Sequence, residues 1–184
     1  MKKLYFYGGP FSQWVPCTFV DENDVKYNCA EQYMMAQKAL LMKDYDMHSK
    51  IMAATDPCIM KYRYGRHVKN FDSELWDAHK FDIVFKGNLF KFTQNDSFNK
   101  YIKKCDNYHI AEASPTDTIW GIGLTLDEAH RGLPWRGQNL LGKVIMNVRD
   151  FILDNSHIEL HALSPSQLIS YIEQLRHEKL RHEA

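Results

Sequence analysis

In the stretch CAEQYMMAQKAL, residues 29–40, an acid and an amine share the most apolar stripe of a helical pattern. At about 100° per residue, Glu31 and Lys38 project within about 20° of each other, and Met34, Met35, Leu41 and Met42 lie alongside them. Charged groups are rarely buried unless they are paired. Each residue has a structural explanation: Asn28 can be an N-cap with Glu31 closing a capping box at N3, and Lys38 can lay its stem on apolar surface while its ammonium reaches water. The chemical explanation takes them together. Seven residues make two turns, about 10.5 Å of rise, and helical side chains lean toward the N-terminus. Lys38 therefore reaches back over the methionines toward Glu31, framing a small-molecule cleft with an acid at one end and an amine near it.

Two further stretches carry types and spacings of interest. In Asp117-Thr118-Ile119-Trp120-Gly121-Ile122-Gly123, the choice is between a plain turn with Trp120 in the core and a loop whose glycines bring backbone close to a ligand beside an indole. It is not a dinucleotide fingerprint. RGQNLLGK, residues 136–143, places Gly137 and Asn139 at a helix start. Free N–H groups there can hold a phosphate; the alternative is that Asn139 only caps the helix and Gly142 permits close packing. The nine histidines are scattered, and no carboxylate or cysteine cluster completes a site with His157 and His161, so no metal site is predicted. No nucleophile elbow or Walker loop is present.

The elements that must position these residues follow from periodicity and caps. A strand is predicted over residues 4–7, and a hairpin over 17–29 with its turn at Asp21 to Asp24. Helices are predicted from Asn28, over Asp44 to Ala54, and from Asp56-Pro57 to about Tyr64-Gly65-Arg66. A long helix covers Asp72 to Thr93 despite Gly87, and another covers Asn95 to Lys104. A short strand follows at 110–114, then a loop through DEAHRGLPWRGQN, then an amphipathic helix over 139–155. Ser164-Pro165 opens a last helix with Leu168, Ile172 and Leu175 on one side, to pack on the domain or on a partner. The fold class is α+β, predominantly α-helical, with helices around a small β-sheet.

The chain has 184 residues, 23 Lys+Arg against 23 Asp+Glu, and 45% hydrophobic residues. That describes an ordinary globular protein with enough chain for one core, or for one domain plus an appendage. Zero net charge argues against coating nucleic acid or membrane through bulk charge, but allows a local phosphate pocket. The four widely spaced cysteines, the absence of a signal-like N-terminus and the absence of any span-length apolar run point to a reduced, cytoplasmic protein.

Taken in order, the motifs resemble the NADAR (YbiA-like) family. They are FYGGPFSQW (6–14), AEQYMMAQKAL (30–40), YGR (64–66), Trp76, KFTQN (91–95), AEASPTDTIWGIGL (111–124) and GQNLLGKVIMNVR (137–149). The resemblance implies a YbiA-like domain over residues 1–153, with 154–184 as an appended helical segment. It also implies an enzyme that hydrolyses an N-glycosidic bond between ribose and an exocyclic amine. The activity it favours is removal of ADP-ribose from the guanine amino group of nucleic acid. The alternatives are a glycosidase for ribosylamino-pyrimidine intermediates of riboflavin synthesis, or a non-catalytic ADP-ribose or NAD-binding module. Ile122 resembles the WGIG subgroup rather than the WGDG form, which favours ADP-ribose; Gln13 and Trp14 depart from the usual Asn and Phe.

The implied catalytic residues are Glu31, Lys38 and Asp117. Glu31 or Asp117 would act as general acid and base, and Lys38 would either attack the sugar as a Schiff base or steady the acid. The implied substrate-binding residues are Tyr7, Gly8, Trp14, Arg66, Trp120, Gly121, Gly123 and Asn139, with Arg66 and the Asn139 helix start taking phosphate. No cofactor and no metal are implied. The partners would be an ADP-ribosylated nucleic acid or nucleotide as substrate and a toxin–antitoxin or NAD-linked pathway, with no membrane.

Overall fold

In the computed structural model, which describes residues 2–182, two strands far apart in sequence form the sheet that anchors the fold. Strand β1 (Lys2–Phe6) pairs in parallel with a strand at Tyr108–Glu112, in register from Lys2 with Tyr108 to Phe6 with Glu112. Parallel strands need a long crossover, and here the crossover contains most of the helices. It begins with a hairpin of β2 (Phe19–Val20) and β3 (Lys26–Tyr27). Asp21 closes the hairpin turn by accepting from the backbone N–H groups of Asn23 and Val25 and from the Tyr27 hydroxyl.

Helix α1 spans Ala30–Leu41, α2 Tyr45–Ala53, α3 Ser73–Thr93 and α4 Asp96–Lys103. Helix α3 runs unbroken through Gly87 because that residue faces the Tyr33 ring of α1, leaving no room for a side chain. Its Phe90 and Phe92 are fully buried. Between α2 and α3, the predicted third helix is a π-helical segment, Ile59–Tyr64, closed by a 3₁₀ turn at Gly65–His67.

Strand β4 (Tyr108–Glu112) leads into a turn, then the short helix α5 (Leu126–His130), α6 (Leu140–Asp154) and α7 (Pro165–His182). Helix α5 corrects the expected loop. Thr125 and Glu128 form a reciprocal capping box there, enough to wind one turn of helix. Helix α6 covers β4, with Arg149 Nη1 donating to the carbonyls of Cys105 and Tyr108. Helix α7 packs on the domain itself through the buried Leu168 and Ile172. Ser166 Oγ donates to the Glu22 carbonyl, and Arg176 pairs with Asp82. Among the described residues no helix is long and apolar enough to cross a membrane.

Gly142 sits where α6 crosses β4, and a β-carbon there would overlap the Ile110 carbonyl oxygen. Backbone cannot yield as a flexible side chain can. Gly142→Ala is expected to lower unfolding free energy by about 1–3 kcal/mol in urea denaturation, despite the better helix propensity of alanine.

Candidate active site

The cap of α1 is one residue away from its expected place, and that shift defines the site. Cys29 is the N-cap, its sulfur accepting from the Gln32 N–H. Gln32, not Glu31, reaches back to the Asn28 N–H at 2.9 Å. The capping-box role expected for Glu31 is therefore taken by its neighbour. One residue is about 100° of helix, so Glu31 points instead into a cleft of about 470 Å³. The Glu31 backbone N–H donates to the Gln13 carbonyl at 2.9 Å, tying the helix start to the Ser12–Trp14 loop.

Glu31 is 3% exposed. Its Oε2 accepts from Trp14 Nε1 at 3.3 Å, and among the described residues its Oε1 has no hydrogen-bond partner. Burial pushes its pKa up to about 7; Asp117 adds to the rise, while Lys61, the Trp14 hydrogen bond and Lys38 limit it. Asp117 moves the other way. Burial would raise it, but N–H groups from Trp120 (2.8 Å) and Ile119 (3.0 Å) and the Lys61 ammonium (3.3 Å) hold its carboxyl below the ordinary range. Burial opposes the charge of Lys61, yet Glu31 and Asp117 together keep its pKa above the ordinary value. Glu112, at the end of β4, is pushed up to about 7 by burial and by Asp117. Carboxyl groups in one cleft thus differ in protonation at neutral pH, an arrangement that suits acid–base work.

The other end of the cleft is cationic and aromatic. Lys38 Nζ donates to the Gly65 carbonyl at 2.7 Å and lies 4.4 Å from the Phe71 ring centroid and 5.6 Å from that of Trp76. Burial lowers its pKa, Glu31 partly restores it, and Arg66 lowers it further. The Arg66 guanidinium lies 4.4 Å over the Tyr62 ring. Among the described residues neither cation is within 4 Å of a carboxylate.

The family decides what such a cleft belongs to, and the sequence pattern of the NADAR domain matches residues 5–153. This chain belongs to the NADAR domain family. A relative named N-glycosidase from Acanthamoeba polyphaga mimivirus is 49% identical over 147 residues, covering 76% of this chain and 85% of that protein. Another N-glycosidase, from Nostoc punctiforme, is 30% identical, covering 81% and 92%. Protein irg-1 of Caenorhabditis elegans is 36% identical, covering 79% and 70%. The NMR structure of the E. coli protein YbiA superposes with a TM-score of 0.70 over 85% of this chain and 88% of that one, at 21% identity, which shows the fold. NADAR membership and the names of the mimivirus and Nostoc relatives support N-glycosidase activity in general terms.

Within this NADAR domain, Tyr7, Trp14, Glu31, Lys38, Arg66, Asp117 and Trp120 all line the cleft. Gly8, Gly121, Gly123 and Asn139 lie outside that lining. Asn139 is 1% exposed, its side chain linking the Glu112 N–H to the Ile110 carbonyl. The N–H groups at the start of α6 are also committed. Those of Asn139, Leu140 and Leu141 donate to the carbonyls of Gly121, Ile119 and Trp120, so these three are not available to a phosphate. Gly121 serves the same stitching: a β-carbon there would press on the Asp117 carbonyl at 2.8 Å. Gly123 adopts a left-handed φ of +69° beside Arg136. Gly8 is extended, with open space around it.

Sequence reasoning missed Lys61, Tyr62 and Glu112. The KYRYGR run, with cations and aromatics alternating beside a glycine, signalled a lined pocket. Glu112 sits at the carboxyl end of a parallel strand, the usual place for ligand contacts in α/β sheets.

The raised Glu31 pKa carries a stability consequence with a definite sign. The carboxyl titrates near 7 in the folded chain and near 4.5 when unfolded. The contribution of protonated Glu31 to folding is therefore fully present below pH 4.5 and is lost as pH rises through 7. Glu31→Gln is expected to stabilise the chain by on the order of 3 kcal/mol at pH 8 and by almost nothing at pH 4. Equal effects at both pH values in urea denaturation would mean an unperturbed carboxyl.

Proposed function

We propose that this NADAR domain is an N-glycosidase that cleaves ADP-ribose from the amino group of guanine in nucleic acid. The carrying observation is the buried Glu31, with a pKa of about 7 and one oxygen unbonded, beside an Asp117 held ionised. The bond to be broken joins the ribose anomeric carbon to an exocyclic nitrogen. Such a reaction needs a proton for the leaving amine and negative charge beside the developing oxocarbenium ion.

Protonated Glu31 supplies the proton. Ionised Asp117 stabilises the sugar cation and draws a proton from the attacking water. Lys61, 3.3 Å from Asp117, keeps that carboxylate charged until it takes the proton of the water. The base stacks among Trp14, Tyr7 and Trp120, which wall the acidic end. Lys38 and Arg66 take the diphosphate, being neighbouring cations without a carboxylate within 4 Å among the described residues. Lys38 already donates to Gly65 and rests against aromatic rings, contacts that suit a charged ammonium better than a nucleophilic amine. That favours binding over attack on the sugar.

Turnover of an N2-ADP-ribosylguanosine oligonucleotide tests the reading. Glu31→Gln is expected to lower kcat by about a hundredfold or more. Lys38→Ala should mainly raise KM. Near-normal turnover by Glu31→Gln would remove the acid from the mechanism. A ribosylamino-pyrimidine phosphate run in parallel compares the other ribosyl-amine substrate, and faster cleavage of it would overturn the guanine assignment.

A further inference from the structure

Lys91 is a buried charge with no place in the cleft. It sits on the inner face of α3 at 0% exposure, and burial brings its pKa down to about 8. The thiols of Cys17 and Cys29 are near enough to favour its charge. Among the described residues its ammonium donates to the Ser12 carbonyl at 2.8 Å and lies close to the rings of Phe92 and Phe98. An apolar side chain would avoid the desolvation cost of burying an ammonium for one carbonyl.

Asn88, one turn earlier on α3, is also 0% exposed. It exchanges two hydrogen bonds with Gln13, Gln13 Nε2 to Asn88 Oδ1 at 3.0 Å and Asn88 Nδ2 to Gln13 Oε1 at 3.2 Å. Asn88 Nδ2 also donates to the Val84 carbonyl. Two buried polar residues of one helix therefore grip consecutive residues of one loop. The next residue in that loop is Trp14, whose backbone N–H is held by Ser12 Oγ at 3.1 Å and whose indole donates to Glu31.

We propose that Asn88 and Lys91 are positioning residues of the active site: by fixing Gln13 and Ser12, they hold Trp14 Nε1 against the carboxyl whose proton the reaction uses. The charged groups facing Glu31 are Lys61, Asp117, Lys38 and Glu112. Lys91 is not among those that shift it, so its influence passes through Trp14. A hydrogen bond from the indole favours the ionised carboxyl. Loosening the loop therefore lets Glu31 hold its proton to higher pH. The consequence for turnover rests on Glu31 being the acid; the consequence for its titration does not.

The test is a ¹³C NMR titration of the Glu31 carboxyl in the full chain, assigned with Glu31→Gln. Lys91→Met and Asn88→Leu should each raise the midpoint by about half a pH unit, with kcat down about tenfold. Trp14→Phe should give the same rise, and adding Lys91→Met to it should give no more. An unmoved midpoint in the folded single variants overturns the proposal, as does an additive rise on the Trp14→Phe background. If Lys91→Met fails to fold, Asn88→Gln and the exchanged pair Gln13→Asn/Asn88→Gln decide. The single change should shift the midpoint and the exchange should restore it; a shift that persists in the exchange overturns the proposal. Expected shifts without turnover of any N-ribosyl substrate would overturn the reaction proposed above and leave the positioning role supported.

Discussion

The first turn of a helix is a favourable place for a carboxylate, because unpaired N–H groups and the helix dipole both attract negative charge. Helix α1 puts Glu31 there and then removes it from water, leaving one oxygen with no partner. Burial penalises the anion and the surrounding cations favour it, and the balance lies near neutrality. Much of the cleft follows from that tension. Lys61 has to be near enough to limit the rise, yet it makes its ion pair with Asp117 rather than with Glu31. A direct pair would have fixed Glu31 as a permanent anion.

The second carboxyl owes its character to backbone. Asp117 opens a turn whose own N–H groups fold back on it, and the carbonyls of the same turn accept from the start of α6. The left-handed φ at Asn139 and the side-chain-free position at Gly121 allow those chains to approach so closely. Asp117 is thus set by main-chain geometry, whereas Glu31 is set by side chains gathered around it. Two carboxyl groups with different supports keep different protonation states in one cleft.

Helical periodicity and the family motifs made the helices, the parallel strand segments and the acid–amine stripe of α1 legible in the sequence. They put the α1 cap at Asn28, one residue before the Cys29 cap of the fold. A cysteine cap is chemically unusual, and Gln32 is as able as Glu31 to reach back, so only the fold settles which side chain faces inward. The same motifs marked Gly121, Gly123 and Asn139 as ligand contacts. They could not reveal that these residues join two backbone segments, because the partners lie in different parts of the chain. Lys61 and Glu112 were hidden for the same reason: their roles depend on Glu31 and Asp117, which lie elsewhere in the chain.

The pairing of β1 with β4 has a temporal side. Tyr7 follows the end of β1, and Glu112 ends β4, so the two walls meet only after a loop of roughly a hundred residues has closed. Asp117 is steadied later still, by the first residues of α6. On a ribosome the acid helix emerges early, yet the lining of the cleft is not complete until residue 141 has been made. A chain that stops before the start of α6 therefore lacks the donors that hold the Asp117 turn, and with them the complete lining of the cleft.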